Sequence, residues 1–214
     1  MPENIDKHSK PQWLTWAQRI QGLAQSGLQY CNNPYDKDRY HELSGIASEM
    51  MEAHTLSNPG EVHMVFDSQS GYATPKLDTR GVVFQDGKIL LVRELQDKGR
   101  WTLPGGWVDI NEPPGLAVER EVREEAGKIV KAVKLLAMYD TNQHGHPPTP
   151  FHSYKLFFRC ELLGDTGLAP HETADPAYFA QDEIPELSNG RVTLEEIQRM
   201  FEHLRDPSLP TDFD

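Results

Sequence analysis

The stretch from Gly106 to Lys128, GWVDINEPPGLAVEREVREEAGK, constrains this chain more than any other. Its second part is predicted as a helix from Pro113 to Ala126. Two prolines stand where a first helical turn tolerates a missing N–H, and Gly127 is placed to end the helix. Ala117, Val118 and Val122 supply an apolar stripe. Glu121 and Glu125 are then i, i+4, and Glu121 and Glu124 are i, i+3, which puts three carboxylates on one face. Like charges so placed repel. Either the face is solvated and balanced by Arg120 and Arg123, or a hard divalent cation gathers carboxylate, water and phosphate oxygens there. Leu103-Pro104-Gly105-Gly106 precedes the helix by a short loop, and adjacent glycines let backbone approach a ligand and offer it N–H or C=O groups. A glycine loop, an acid at Glu112 and then Arg-Glu-x-x-Glu-Glu describe a site for a metal-bound diphosphate.

These residues resemble the box of the Nudix hydrolases, G-x5-E-x7-R-E-U-x-E-E-x-G-U, where U is bulky and apolar. Gly106, Glu112, Arg120, Glu121, Val122, Glu124, Glu125 and Gly127 fall in register, while Lys128 departs at a position that holds no metal ligand. The resemblance extends outward. Trp13 to Met50, Gly71 to Lys76, Trp101 to Trp107, Tyr154 to Phe158 and Ile184 to Ser188 are similar to a Nudix subgroup with a helical N-terminal region. That subgroup includes CDP-choline pyrophosphatases and ADP-ribose pyrophosphatases.

The resemblance implies roles. Glu121 and Glu125 are the expected main ligands of Mg²⁺ (or Mn²⁺), Glu124 a ligand or a supporting acid, and Gly105 the donor of a backbone carbonyl. Arg120 is expected to orient a glutamate, and Glu112 to support the loop. The general base is either a box glutamate, with Glu124 next in line, or an acid from a later loop, with Glu172 ahead of Glu183. The residues themselves suggest Lys76, Arg80 and Lys155 as phosphate partners, though each also suits a strand-edge charge. His144, His146 and His152 are loop residues that could line the site. Tyr139 and Phe151 suit either base stacking or the core. The expected reaction is hydrolysis of CDP-choline to CMP and phosphocholine, with ADP-ribose as the rival substrate. Gln143 stands where some ADP-ribose enzymes carry a proline. A non-catalytic Nudix-fold sensing module is the alternative of another class, and the intact box glutamates weigh against it.

Composition narrows the partners. The chain has 214 residues and a formal net charge of −12, which argues against nucleic acid. Two distant cysteines, Cys31 and Cys160, read as free buried thiols of a reducing compartment. No leader and no apolar run of ~18 residues is evident, so a cytoplasmic protein is expected.

Periodicity predicts a helix from Gln12 to Gln25, with Trp13, Trp16, Ala17, Ile20, Leu23 and Ala24 on one side and Gly27 as its cap. Asn33-Pro34 should open a second helix to Ala53, with Tyr40, Leu43, Ala47 and Met50 on one face. Residues 55–75 read as a linker. Strands are expected over Thr79–Phe84 and Lys88–Glu94 around Asp86-Gly87, then over Val130–Tyr139 and Ser153–Leu162, with a loop at Asp140–His152. Thr193 to Glu196 is a capping box for a last helix to Leu204. The pattern is α+β. The Nudix resemblance implies an α/β/α sandwich around a mixed sheet over residues 71–214. A helical hairpin with its linker, residues 1–70, is expected to make a homodimer.

Overall fold

Asn33 caps a helix, as its place before a proline predicts. In the computed structural model, which describes residues 11–167 and 173–214, its side chain accepts from the Tyr35 N–H at 2.9 Å. The helices are α1 (Gln12–Tyr30), α2 (Pro34–His54) and the short α3 (Glu61–Asp67). They belong to a first unit that runs to Lys76 and takes in Pro148–His152.

Gly27 does not end α1. It lies within the helix, because α2 passes so close that a Cβ there would stand 2.4 Å from the Tyr40 ring. The seam is built of small residues: Ala17, Ala24, Ser44, Ala47 and Ser48 are all buried. The serines are tolerated because the Ser44 hydroxyl donates to Gln21 Oε1 and the Ser48 hydroxyl to the Ser44 carbonyl. Leu14, Met51, Val62 and Phe66 complete this core. The last two come from α3, in the stretch expected to be linker, where seven residues are too few to show a helical period. The expected stripes are also displaced. Trp16, Leu23 and Tyr30, spaced by seven, stay 52%, 66% and 69% exposed.

The second unit is Leu77–Pro147 with Ser153–Asp214. β1 (Lys76–Gln85) and β2 (Lys88–Glu94) form the expected hairpin. Asp86 and Gly87 both have positive φ, 52° and 74°, which matches the right-handed twist of the strands. There follow β3 (Arg100–Thr102), α4 (Pro114–Ala126), β4 (Lys128–Asp140), β5 (Ser153–Asp165), β6 (Thr173–Phe179), α5 (Leu194–Arg205) and β7 (Asp212–Phe213). The strand order is β3-β2-β1-β5-β4-β7, with β6 pairing β2. β4 runs antiparallel to β5 and parallel to β7, so the sheet is mixed. Neighbouring residues of β1 and β2 face opposite cores. Val83 and Leu90 pack with Val118 and Val122 of α4, whereas Val82 and Ile89 pack with Ile197, Met200 and Phe201 of α5. This makes an α/β/α sandwich, and it explains why the strand sequences are continuously apolar.

Two helix ends are as the sequence reads. Gly127 closes α4 in the left-handed region at φ 62°, and Thr193 and Glu196 form the reciprocal capping box of α5. β3, β6 and β7 are too short or too irregular for periodicity to reveal. Among the described residues no helix is long and apolar enough to cross a membrane.

α4 lies against β1 at Gly81, where a Cβ would meet Val122 Cγ2 at 2.4 Å. Gly81→Ala should therefore cost about 1–3 kcal/mol by overpacking. Gly164→Ala, in β5 with open space around it, should change stability little. Chemical denaturation of the two variants checks this, and equal midpoints would refute the tight contact.

Candidate active site

β1 positions the glycine loop. The Gly81 N–H donates to the Pro104 carbonyl and the Thr79 N–H to the Gly106 carbonyl, each at 2.8 Å. Between them Gly105 has φ 147°, and a Cβ there would fall 1.9 Å from the Thr79 carbonyl oxygen. Only glycine fits. The Gly105 N–H then donates to Glu125 Oε2 at 2.8 Å. A Cβ on Gly106 would stand 3.1 Å from Glu121 Oε1. Both carboxylates of the i, i+4 pair thus meet the glycine loop, Glu125 by hydrogen bond and Glu121 by close approach.

Burial pushes the Glu125 carboxyl up to about 7, against the Gly105 N–H and the Arg80 charge, which pull it down. Burial also raises Glu121, while Arg120 opposes the rise. These acids are kept from water with incomplete compensation, an arrangement suited to a hard divalent cation with oxygen ligands.

Arg120 clamps the loop before α4 to the helix. It bonds both Glu112 oxygens at 2.9 Å, Glu121 at 2.8 Å and Glu124 at 3.1 Å. The bidentate pairing holds Glu112 below the usual carboxylate range. Glu124 is 43% exposed and lies between Arg120 and Arg123. The three box carboxylates therefore divide: Glu125 meets the glycine loop, Glu121 meets both the loop and Arg120, and Glu124 lies between the two arginines. No group of three or more His, Cys, Asp or Glu side chains among the described residues is arranged as a ready metal cage.

The basic residues expected at phosphate are placed otherwise. Arg80 is buried, bonds both Asp78 oxygens at 2.7 Å and donates to the Leu103 carbonyl at 3.2 Å. Burial alone would lower its pKa, yet Asp78, Glu125 and Glu121 together raise it. Lys155 is also buried and donates to the Gly190 and Arg191 carbonyls; burial pushes it down to about 8. Neither residue turns its charge to solvent: both are buried and bonded within the protein rather than standing as strand-edge charges. Lys76 belongs to the first unit, where its ammonium lies 4.5 Å from the Phe151 ring centre. Glu172 lies outside the described residues, and Glu183 is an exposed turn residue.

The loop histidines and aromatics are mostly structural. His146 joins Glu196 at 2.9 Å and the Asn189 carbonyl at 2.7 Å. Burial raises the Glu196 carboxyl, but His146 and Lys155 outweigh it and leave the group lowered. His144 stacks on Tyr139 at 3.9 Å and pairs with Asp214, and Tyr139 is buried with its hydroxyl on Asp212. Cys160 is a free thiol raised to about 12 by burial, whereas Cys31 is only half-buried. Three residues near the carboxylates escaped the sequence reading: Asp78, Glu94 and Arg191. Glu94, whose charge reaches Glu125, is held by Arg191 at 3.0 Å. Asp78 and Arg80 had a readable signal, since i, i+2 on a strand share a face.

Comparison with known proteins agrees with this architecture. Residues 75–200 match the NUDIX domain, and residues 11–66 match the UDP-X-like, N-terminal oligomerisation domain. The Bacillus subtilis protein YjhB, provisionally named an ADP-ribose pyrophosphatase, is 40% identical over 94% of this chain and 97% of its own. A crystal structure of a UDP-X diphosphatase has 32% identity, a TM-score of 0.60, and covers 94% of this chain and 98% of that one. An ADP-ribose pyrophosphatase from Streptococcus suis has 39% identity and a TM-score of 0.60, over 66% of this chain and all of that one. The chain belongs to the Nudix family, with the oligomerisation domain of its UDP-X-like branch, and is an enzyme of the pyrophosphatase class.

A carboxyl raised from 4.5 to about 7 retains its proton in the folded state after the unfolded chain has lost it. Without metal, Glu125 should therefore cost stability as pH rises through that window, by about 3 kcal/mol at most. In EDTA, Glu125→Gln should unfold at a higher temperature than the parent at pH 8, and the two should converge near pH 4.5. A parent more stable at pH 8 would refute the desolvation.

Proposed function

We propose that this enzyme hydrolyses the pyrophosphate of a nucleoside diphosphate linked to another group, using the Glu121–Glu125 face of α4 as its Mg²⁺ site. The observation that carries the reading is the meeting of Glu125 and Glu121 with the Gly105–Gly106 loop. A bound divalent cation would neutralise phosphate charge there and lower the pKa of the attacking water. Glu121 and Glu125 would hold the cation. Arg120 keeps Glu121 in place and ties it to Glu112, so that the loop and helix present one surface. Arg80, buried beneath, tempers the repulsion between the two acids. Water adds across the phosphoric anhydride, which releases a nucleoside monophosphate and the other phosphoryl group. Glu124, the exposed member of the box, and Glu172 are the two candidates to take the proton.

ADP-ribose now stands ahead of CDP-choline as the first substrate to test. The name ADP-ribose pyrophosphatase is carried by two relatives that align with the chain at about 40% identity, and neither is named for CDP-choline. UDP-linked compounds come next because of the UDP-X diphosphatase. A panel of these compounds with Mg²⁺ or Mn²⁺, scored for nucleoside monophosphate, selects among them. With the preferred compound, Glu125→Gln should lower kcat by about 10²-fold or more without unfolding the protein. Near-normal kcat at saturating Mg²⁺ would remove Glu125 from the metal site.

The first unit acts as the oligomer contact, and a homodimer is its simplest closed form. The support is the exposed Trp16, Leu23 and Tyr30 row on α1 together with the match to an oligomerisation domain. Three large apolar side chains on one helical face mark a contact surface. Light scattering at micromolar concentration should give a dimer for the full chain and a monomer for Trp16→Glu/Leu23→Glu. A monomeric parent would end the proposal.

A further inference from the structure

We propose that the first unit contains a nucleotide-binding cavity of its own, built on the glutamine face of α1 and completed by Lys76 and Phe151. The cavity holds about 300 Å³, at the lower end of the range for small-molecule sites. Every described residue that lines it belongs to the first unit. On a chain of net charge −12, no carboxylate stands among the described residues of its wall.

Two glutamines give the wall a directional edge. Gln21 Oε1 accepts from the Ser44 hydroxyl at 2.7 Å, which leaves its amide NH₂ as a donor. Gln25 Nε2 donates to the Ser70 and Gly71 carbonyls at 3.3 and 3.2 Å, which leaves its amide oxygen as an acceptor. They are i, i+4 on α1, so a donor and an acceptor stand side by side. Adjacent donor and acceptor atoms are what the edge of a nucleobase presents. Lys76 adds a cation that has no ion-pair partner among the described residues, lying over the Phe151 ring. The ammonium suits a phosphate, and Phe151 supplies the aromatic wall. A second cavity of about 480 Å³ shares Gln21, Gln25 and Phe66 with the first and adds Lys37, His41 and the carboxylate Asp67. The shared chemistry is a nucleobase carrying a phosphate, as a free nucleoside monophosphate presents it.

The choice of nucleotides as probes rests on the hydrolase reading, but the binding itself needs no metal. Calorimetry on the full chain in EDTA with CMP, UMP and AMP, and with inorganic phosphate as control, separates the two. At least one nucleotide should bind more tightly than phosphate. Lys76→Met, which removes no side-chain hydrogen bond or ion pair among the described residues, and Gln25→Leu should each weaken that binding by about tenfold or more, with thermal unfolding of Lys76→Met little changed. Glu125→Gln should bind as the parent does. Absence of nucleotide binding, binding undiminished in both variants, or binding lost in Glu125→Gln would overturn the proposal.

Discussion

Glu125 accepts the Gly105 N–H, and most of the site follows from what that contact requires. The loop must lie within hydrogen-bonding distance of β1, which Gly105 permits because any Cβ would strike the Thr79 carbonyl. The helix must lie equally close, which Gly81 permits because Val122 occupies the space of its missing side chain. One strand therefore sets the height of both the loop and α4. Two carboxylates then share a space from which water is partly excluded, and their raised pKa values are the electrostatic consequence.

The second unit pairs several of its other buried charges, while Lys155 is held by the Gly190 and Arg191 carbonyls. Arg80 is bound at both Asp78 oxygens, Glu94 is held by Arg191, and Glu196 by His146. An uncompensated buried charge costs several kcal/mol, so such pairs stand or fall together. They also shape the field at the box: Arg80 favours ionised Glu121 and Glu125, while Glu94 opposes ionisation of Glu125. A protein of net charge −12 must reverse its field locally to admit a phosphate anion. Arg80 and Arg120 begin that reversal, and a cation would complete it.

In the first unit, α1 and α2 approach through alanine and serine rather than through large side chains. Close approach spends the small residues inside and leaves Trp16, Leu23 and Tyr30 outside. The same helix therefore carries a core face, an apolar outer row and a row of glutamines. Each is fixed by the 3.6-residue turn.

The box helix, its proline start and glycine end, the Asp86-Gly87 hairpin, the Asn33 cap and the Thr193 capping box were all legible in the sequence. Each depends on local backbone geometry, which neighbouring residues determine. The spacing of Glu121, Glu124 and Glu125 likewise placed them on one helix. Which of them meets the glycine loop was not legible, because that depends on how α4 is rotated against β1. Gly27 looked like a cap, and only the path of α2 showed that it makes room for Tyr40. Trp16 and Leu23 fit the buried period as well as Leu14 does, and the partner helix chose between them. Lys155 and Arg80 read as free cations because a sequence shows charge but not depth. Short chemistry was thus written in the chain, while rotation, depth and long-range pairing were decided by packing, where residues far apart in sequence compete for the same space.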